Sequence, residues 1–294
     1  MDNFTIKDLE QLSGIKAHTL RIWEQRYNFL KPQRTDTNIR YYSNEELKTI
    51  LNISLLNKNG FKISHIDKMS GQQIRENILS LSPQEAQQER LVNELVKHMI
   101  DLNIEEFEKL LDSYILSRGI ERAISHIIFP FLEKIGVLWQ TNYINPAQEH
   151  LVSNIIRQKL IMGIETTQPI RMLKTSVVLF LPEGEHHEIA LLYLQYILKT
   201  RGAKIYYLGT NVPRKDLAYI IDLKNPDCIF THLTSNSHPS FNLGNFVSYM
   251  KKITQHRPLY ISGMVTQRFE SKIQAPVFIK KSLQEVMKVI ELLN

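Results

Sequence analysis

A chain of 294 residues with 43% apolar and 22% charged residues has enough apolar material for two or three domains with cores of their own, which excludes a disordered or low-complexity protein. Its single cysteine, Cys228, excludes a disulfide framework, and its place inside an apolar run makes it a buried thiol in a reducing compartment. A net charge of +6 permits a polyanionic partner; no apolar stretch reaches the roughly 20 residues of a membrane span, and "MDNFTIKDLE" lacks the regions of a signal peptide, so a cytoplasmic protein is expected.

The basic residues gather near the N-terminus. Thr5 and Asp8 have the spacing of a capping box and open a short helix with Ile6, Leu9 and Leu12 on one face; Ser13 and Gly14 end it. A second helix is predicted from about Ala17 to Tyr27, with Leu20, Trp23 and Tyr27 inward and Thr19, Arg21, Gln25 and Arg26 outward. Helix, tight glycine-containing turn, helix is the arrangement that places a second helix in a DNA major groove. Between Lys16 and Arg40 six basic residues (Lys16, Arg21, Arg26, Lys31, Arg34, Arg40) face two acidic ones (Glu24, Asp36), an excess of four positive charges. Pro32, the polar run Thr35 to Asn38 and the strand-forming Ile39 to Tyr42 predict a two-stranded wing, and Ser43 with Glu46 caps the next helix.

These residues resemble the MerR family of transcription regulators. The match runs from about residue 3 to 70 and rests on Arg21-Ile-Trp23-Glu24-Gln-Arg26-Tyr27, Pro32-Gln-Arg34 and Arg40-Tyr41-Tyr42. The resemblance implies a double-stranded DNA operator as partner. Arg21, Arg34, Arg40 and Tyr42 would then serve phosphates and grooves, His18 and Thr19 would stand near the start of the recognition helix, and Lys16 and Arg26 would belong to the same basic surface. It also implies at least a homodimer, one copy for each half-site.

Helical periodicity resumes near Pro83. Leu91, Leu95, Val96 and Met99 share one side of a first helix, "IEEFEKLLDSYILSRG" and "IERAISHIIFPFLEKIGVLWQ" follow, and "NPAQEHLVSNIIRQKLIMGIE" supplies a fourth, capped by Asn145 with Pro146 at its first position. Four helices with short connections predict a bundle. Thereafter "TSVVLFLP", "AKIYYLG", "DCIFTHLT", "PLYISG" and "PVFI" alternate with helical patterns, which predicts a doubly wound parallel sheet with ligands outside the carboxyl ends of its strands. The expected fold is therefore multidomain: a winged helix-turn-helix over 1–75, a four-helix bundle over 76–168 and an α/β domain of flavodoxin-like or Rossmann-like type over 169–294.

The bundle and α/β segment together resemble the cobalamin-binding module of methionine synthase and of the light-sensing MerR regulators of the CarH and LitR type. That module carries D-x-H-x-x-G, S-x-L and G-G motifs, read here as Glu185-His186-His187-Glu188-Ile189-Ala190, Thr231-His232-Leu233 and Ser262-Gly263. The resemblance makes His187 the lower axial cobalt ligand, with Glu185 holding its other ring nitrogen. Glu185 replaces Asp and Ala190 replaces Gly, and the second motif keeps a hydroxyl at Thr231. In the bundle, Trp139, Glu149 and His150 keep the family's W-x9-E-H spacing, which implies that they close over the upper axial group. Gln140 stands where light-responsive members have a second histidine ligand.

The sequence thus points to a non-enzymatic transcription regulator whose oligomeric state, homodimer or homotetramer, and DNA affinity follow adenosylcobalamin, with a photoreceptor role implied by the resemblance. The alternative is a cobalamin-independent regulator of the same architecture, controlled by a protein antagonist or another small ligand. A methyl-carrying corrinoid enzyme subunit would leave the winged helix without a purpose.

Overall fold

The computed structural model describes residues 4–35, 38–81, 84–140, 144–169, 173–234, 241–266 and 275–293. They form two compact units, 1–156 and 157–294. The division differs from the three domains expected from the sequence because the winged helix and most of the bundle share packing within the first unit.

That unit opens with helix α1, Ile6–Ser13. Thr5 and Asp8 cap it reciprocally, and Gly14 ends it at φ 74°, a conformation that costs glycine little. Helix α2, Ala17–Arg26, buries Leu20 and Trp23; Tyr27 does not continue the stripe but caps the helix and stacks on Phe29. Strands β1, Gln33–Arg34, and β2, Arg40–Tyr41, pair antiparallel as the wing. Helix α3, Asn44–Lys58, starts from the Ser43–Glu46 capping box, and the short helices α4, Ile63–Ile66, and α5, Gly71–Leu79, follow.

The bundle helices are α6, Gln84–Ile100; α7, Ile104–Arg118; α8, Ile120–Ala123; α9, Phe129–Gln140; and α10, Pro146–Thr166, whose last turns belong to the second unit. Where the sequence reads one helix from Ile120 to Gln140, a π turn, Ile124–Ile128, intervenes between α8 and α9. Its physical reason is Pro130, which lacks an N–H and whose ring crowds the preceding turn; the wider turn, with Phe129 N–H bonded to the carbonyl of Ile124, relieves that crowding. Phe107 of α7 and Phe131 of α9, both fully buried, meet with ring centroids 5.3 Å apart. Asn145 accepts from the N–H of Ala147 at 2.9 Å, capping α10. Helix α3 lies against α6, and Lys48 to Asp101 (2.6 Å) and Lys58 to Glu89 (2.7 Å) fasten its rim. Such partly exposed pairs contribute about 1 kcal/mol or less each, so apolar packing carries this contact.

In the second unit, β3, Ser176–Pro182, leads through α11, Ile189–Thr200, to β4, Lys204–Val212; α12, Arg214–Lys224, leads to β5, Cys228–His232. Helix α13, Leu243–Thr254, then precedes β6, Leu259–Ser262, and β7, Val277–Lys280, precedes α14, Leu283–Glu291. The five strands are parallel in the order β4-β3-β5-β6-β7. Strands buried on both faces need unbroken apolar runs, and β3 supplies one in Val177 to Leu181, all with no exposed surface. Val178, Phe180, Ile229, Leu259 and Ile261 form one core with Leu217, Ile221, Phe246 and Met250 of α12 and α13. The strand order reverses at β3, and in sheets of this kind ligands bind outside the carboxyl ends of the strands at that point. Among the described residues no helix is long and apolar enough to cross a membrane.

Gly263 fastens the end of β6 to the end of β5. It has φ 107°, and a Cβ there would lie 2.3 Å from the carbonyl oxygen of Leu233, whose N–H donates to Ser262 O at 2.7 Å and whose carbonyl accepts from Val265 N–H at 3.1 Å. Gly263→Ala is therefore expected to destabilise the α/β unit by about 2 kcal/mol or more. A lowered urea midpoint by circular dichroism checks this, and an unchanged midpoint would show that the two loops separate freely.

Candidate functional site

The loop between β3 and α11 is held by a buried carboxylate. Glu185 has no exposed surface. One of its oxygens accepts from the backbone N–H of His186 and of His187, each at 3.1 Å, and bonds the Nδ1 of the His187 ring at 2.6 Å. The other accepts from Thr234 N–H, just beyond β5, at 2.9 Å. Its own carbonyl accepts from Asn211 N–H at 3.2 Å, and the Asn211 side chain takes the N–H of Gly184 at 3.0 Å. Asn211 sits at φ 54° in β4, a left-handed conformation that asparagine tolerates better than most residues. The carboxylate thus ties the loop after β3 to the end of β5, and the backbone carbonyl of Glu185 adds β4.

The chemical result falls on His187. An Nδ1–H given to Glu185 would place the lone pair of the uncharged ring on Nε2, and the side chain is 53% exposed. A carboxylate behind an imidazole fixes the tautomer and raises the basicity of the outward nitrogen, the arrangement of a metal-bound histidine. Among the described residues no group of three His, Cys, Asp or Glu side chains could hold a metal ion.

Thr231, Leu233, Ser262 and Gly263 come to the same edge of the sheet. Thr231 is fully buried and its hydroxyl has no hydrogen-bond partner among the described residues. Leu233 belongs to the core. Ser262 Oγ lies 2.9 Å from His232 Nδ1. Burial pushes the His232 imidazole down to about 4, opposed by the charge of Glu185 and reinforced by His187, so His232 is neutral at ordinary pH. Ala190 stands in the first turn of α11.

The bundle motif lies in the first unit. Glu149 and His150 pair at 3.1 Å at the start of α10, where Glu149 also takes the hydroxyl of Ser153; His150 is exposed. Trp139 occupies the last turn of α9, and its side chain falls outside the described residues, as does that of Gln140. Sequence reasoning passed over Asn211, Thr234 and His232. Only their polarity at or just past strand ends could have marked them.

On the winged helix, Arg21 and Arg26 of α2 are exposed, as is Arg34 of β1, whose guanidinium donates to Asn38 at 2.6 Å. His18 is exposed beside Thr19, 3.3 Å apart, and Lys16 is exposed and paired with Glu10 at 3.3 Å. Arg40 leans on Glu24 at 3.3 Å. Tyr42 is different: it is fully buried, exchanges backbone hydrogen bonds with Phe4 and donates its phenol to Glu24. Burial raises that phenol far above its ordinary value and removes it from the expected groove-contacting set. Alternation along a short strand puts Tyr41 outward and Tyr42 inward, a choice the motif alone does not reveal.

The chain joins a winged helix-turn-helix and a helical bundle to a parallel α/β unit. Residues 4–73 match the family described as MerR HTH family regulatory protein and residues 91–162 match the B12 binding domain. The chain is homologous to two proteins of Myxococcus xanthus. One is the HTH-type transcriptional repressor CarA, 29% identical over 227 residues, 76% of this chain and 74% of that one. The other is the HTH-type transcriptional repressor CarH, 23% identical over 275 residues and 91% of each chain. In fold, the chain is similar to the monomethylamine corrinoid protein of Methanosarcina barkeri, with a TM-score of 0.52 at 12% identity over 69% of this chain and 99% of that one.

The burial of Tyr42 sets an expectation for the reading head. Tyr42→Phe strands a buried acceptor on Glu24 and should cost about 1 to 3 kcal/mol in thermal or urea unfolding. Affinity for duplex DNA, measured where the variant is folded, should not change; a weakened complex would return Tyr42 to the contact surface.

Proposed function

We propose that this protein is a DNA-binding transcriptional repressor that senses adenosylcobalamin through His187. The observation that carries the reading is the buried Glu185 holding Nδ1 of a half-exposed His187 at the switch point of the sheet. When bound, the cofactor would supply a cobalt ion able to take an imidazole as a ligand. His187 would offer Nε2 to it, Glu185 would keep the ring oriented, and the Thr231 hydroxyl and Ser262 would provide polar partners at the same strand ends. Trp139, Glu149 and His150 are proposed for the adenosyl side, on the strength of their spacing.

Regulation follows by linkage: a ligand that binds one oligomeric state better shifts the population toward it, and a twofold reader needs two copies for two half-sites. We take the operating form to be a homodimer or homotetramer. Arg21, Arg26, Arg34 and Arg40, with Lys16, His18 and Thr19, form the proposed DNA surface, and each arginine on a phosphate adds about one unit to the salt dependence of log K.

Titration with adenosylcobalamin in darkness tests the sensor. Wild type should bind at micromolar concentration with a histidine-ligated spectrum. His187→Ala should lose about tenfold or more in affinity, or the ligated spectrum, and His186→Ala, which removes only an exposed ring, should do neither. Equal behaviour of the two variants would remove His187 from the site, and absence of binding would leave the cobalamin-independent regulator under a protein antagonist as the better reading. Illumination before a DNA titration asks whether light is a second input; with Gln140 in place of a second histidine, no light-stable bis-histidine adduct is expected.

The reader is tested by salt. Arg21→Ala and Arg34→Ala should each lower the slope of log K against log salt by about one unit while leaving the fold intact. Unchanged slopes in both variants would exclude the recognition helix and wing as the DNA surface.

A further inference from the structure

The carboxylate that follows His187 has no part in the site as described so far. Glu188 is the N-cap residue of α11, and its side chain engages a different set of partners from Glu185. One oxygen takes the Nε–H of Arg157 in α10, and the other takes the phenol of Tyr207 in β4 at 3.1 Å. Glu188 is mostly buried, its side chain 16% exposed, while Arg157 is 47% exposed. Burial first, and the negative charge of Glu188 second, raise the Tyr207 phenol above its ordinary value, so it remains a donor at any pH the protein meets.

An isolated exposed ion pair would be worth little. Here the carboxylate is shielded and shared between a cation and a buried phenol, and removing either donor leaves it under-satisfied in a poorly solvated place. The position of His187 is therefore set twice. Glu185 fixes the tautomer and rotation of the ring, and it is anchored to the loops beyond β4 and β5. Glu188 fixes the start of α11, and so the backbone that carries the ring, by anchoring it to α10 and to β4 itself.

We propose that Arg157 and Tyr207 are positioning residues for His187, acting through Glu188. The inference rests on His187 as the imidazole that meets cobalt and adds what holds that imidazole in register. Each restrains the residue beside the ring.

The test uses the full chain and adenosylcobalamin, with affinity and the absorption spectrum of the bound form as readouts. Arg157→Met and Glu188→Gln should each weaken binding about tenfold and move part of the bound population to a spectrum without histidine ligation, the size expected of a partner one step removed from a metal ligand. Arg157→Lys should restore most of both, and Tyr207→Phe should fall between. The double variant Arg157→Met with Glu188→Gln should be no worse than the poorer single, because both break one connection. A purely structural role would instead lower the urea midpoint of all variants and leave the spectrum of the folded fraction unchanged, which would overturn the proposal. So would wild-type affinity and spectrum in Arg157→Met. If wild type already shares the spectrum of His187→Ala, the assignment of His187 itself falls and this inference with it, a failure seen at position 187 before any change at 157.

Discussion

A carboxylate with no exposed surface governs the α/β unit. Removing such a group from water costs on the order of several kcal/mol unless hydrogen bonds replace the lost solvation. Glu185 meets that demand with backbone N–H groups from its own loop and from Thr234, together with the Nδ1 of His187. The donors come from two different strand ends, so satisfying one side chain closes the edge of the sheet. Orientation of His187 is then a by-product of charge burial: the ring turns its Nδ1–H inward because an acceptor sits there, and its other nitrogen is left as the one that can donate a lone pair. The neighbouring neutral His232, tied to Ser262, adds no competing positive charge.

The DNA-reading head uses the same device at another scale. Glu24 of α2, its side chain 8% exposed, takes the phenol of Tyr42 and the guanidinium of Arg40, so one carboxylate locks the recognition helix to the wing. The arginines proposed for the DNA surface fall into two kinds as a result. Arg40 is oriented by an internal partner, whereas Arg21 and Arg26 stand in solvent on the outer side of the helix. Side chains free in solvent can adapt to a phosphate, and one held by a carboxylate approaches the groove from a defined direction.

Within the first unit, the head and the bundle share packing through α3 and α6. Under the proposed function, a protein that senses a ligand with one part and reads DNA with another would need contacts whose free energies are comparable to the ligand's differential affinity, typically about 1 to 3 kcal/mol. Ion pairs such as Lys48–Asp101 and Lys58–Glu89, individually weak, are of that order together and can be rearranged without unfolding either element. The π turn before Pro130 lies in this bundle, ahead of the helix that carries Trp139, and such turns recur where a helix must depart from regular geometry for a function.

The sequence by itself determined the elements whose information is local. Capping boxes at Thr5 and Ser43, the glycine at 14, the proline after Asn145 and the alternation of apolar runs with helical periods specify helix starts, ends and strand order because each acts within a few residues. The MerR and cobalamin-module motifs are local for the same reason, and they brought Glu185 and His187 forward as a pair. Tertiary structure decided whatever depends on residues far apart in the chain. That Tyr42 turns inward depends on Glu24 and Phe4; that Leu233 is core while its backbone meets Gly263 depends on two strand ends meeting; that Thr231 has an orphaned hydroxyl depends on everything around it. The partition of the chain into two units was likewise invisible to periodicity, since helix α10 is continuous across the division and only packing density separates its two ends. Hydrogen bonds between Glu185 and Thr234, 49 residues apart, and between Arg157 and Glu188, 31 apart, carry no signature in either segment, because a donor and an acceptor become partners only when the sheet has brought them within 3 Å.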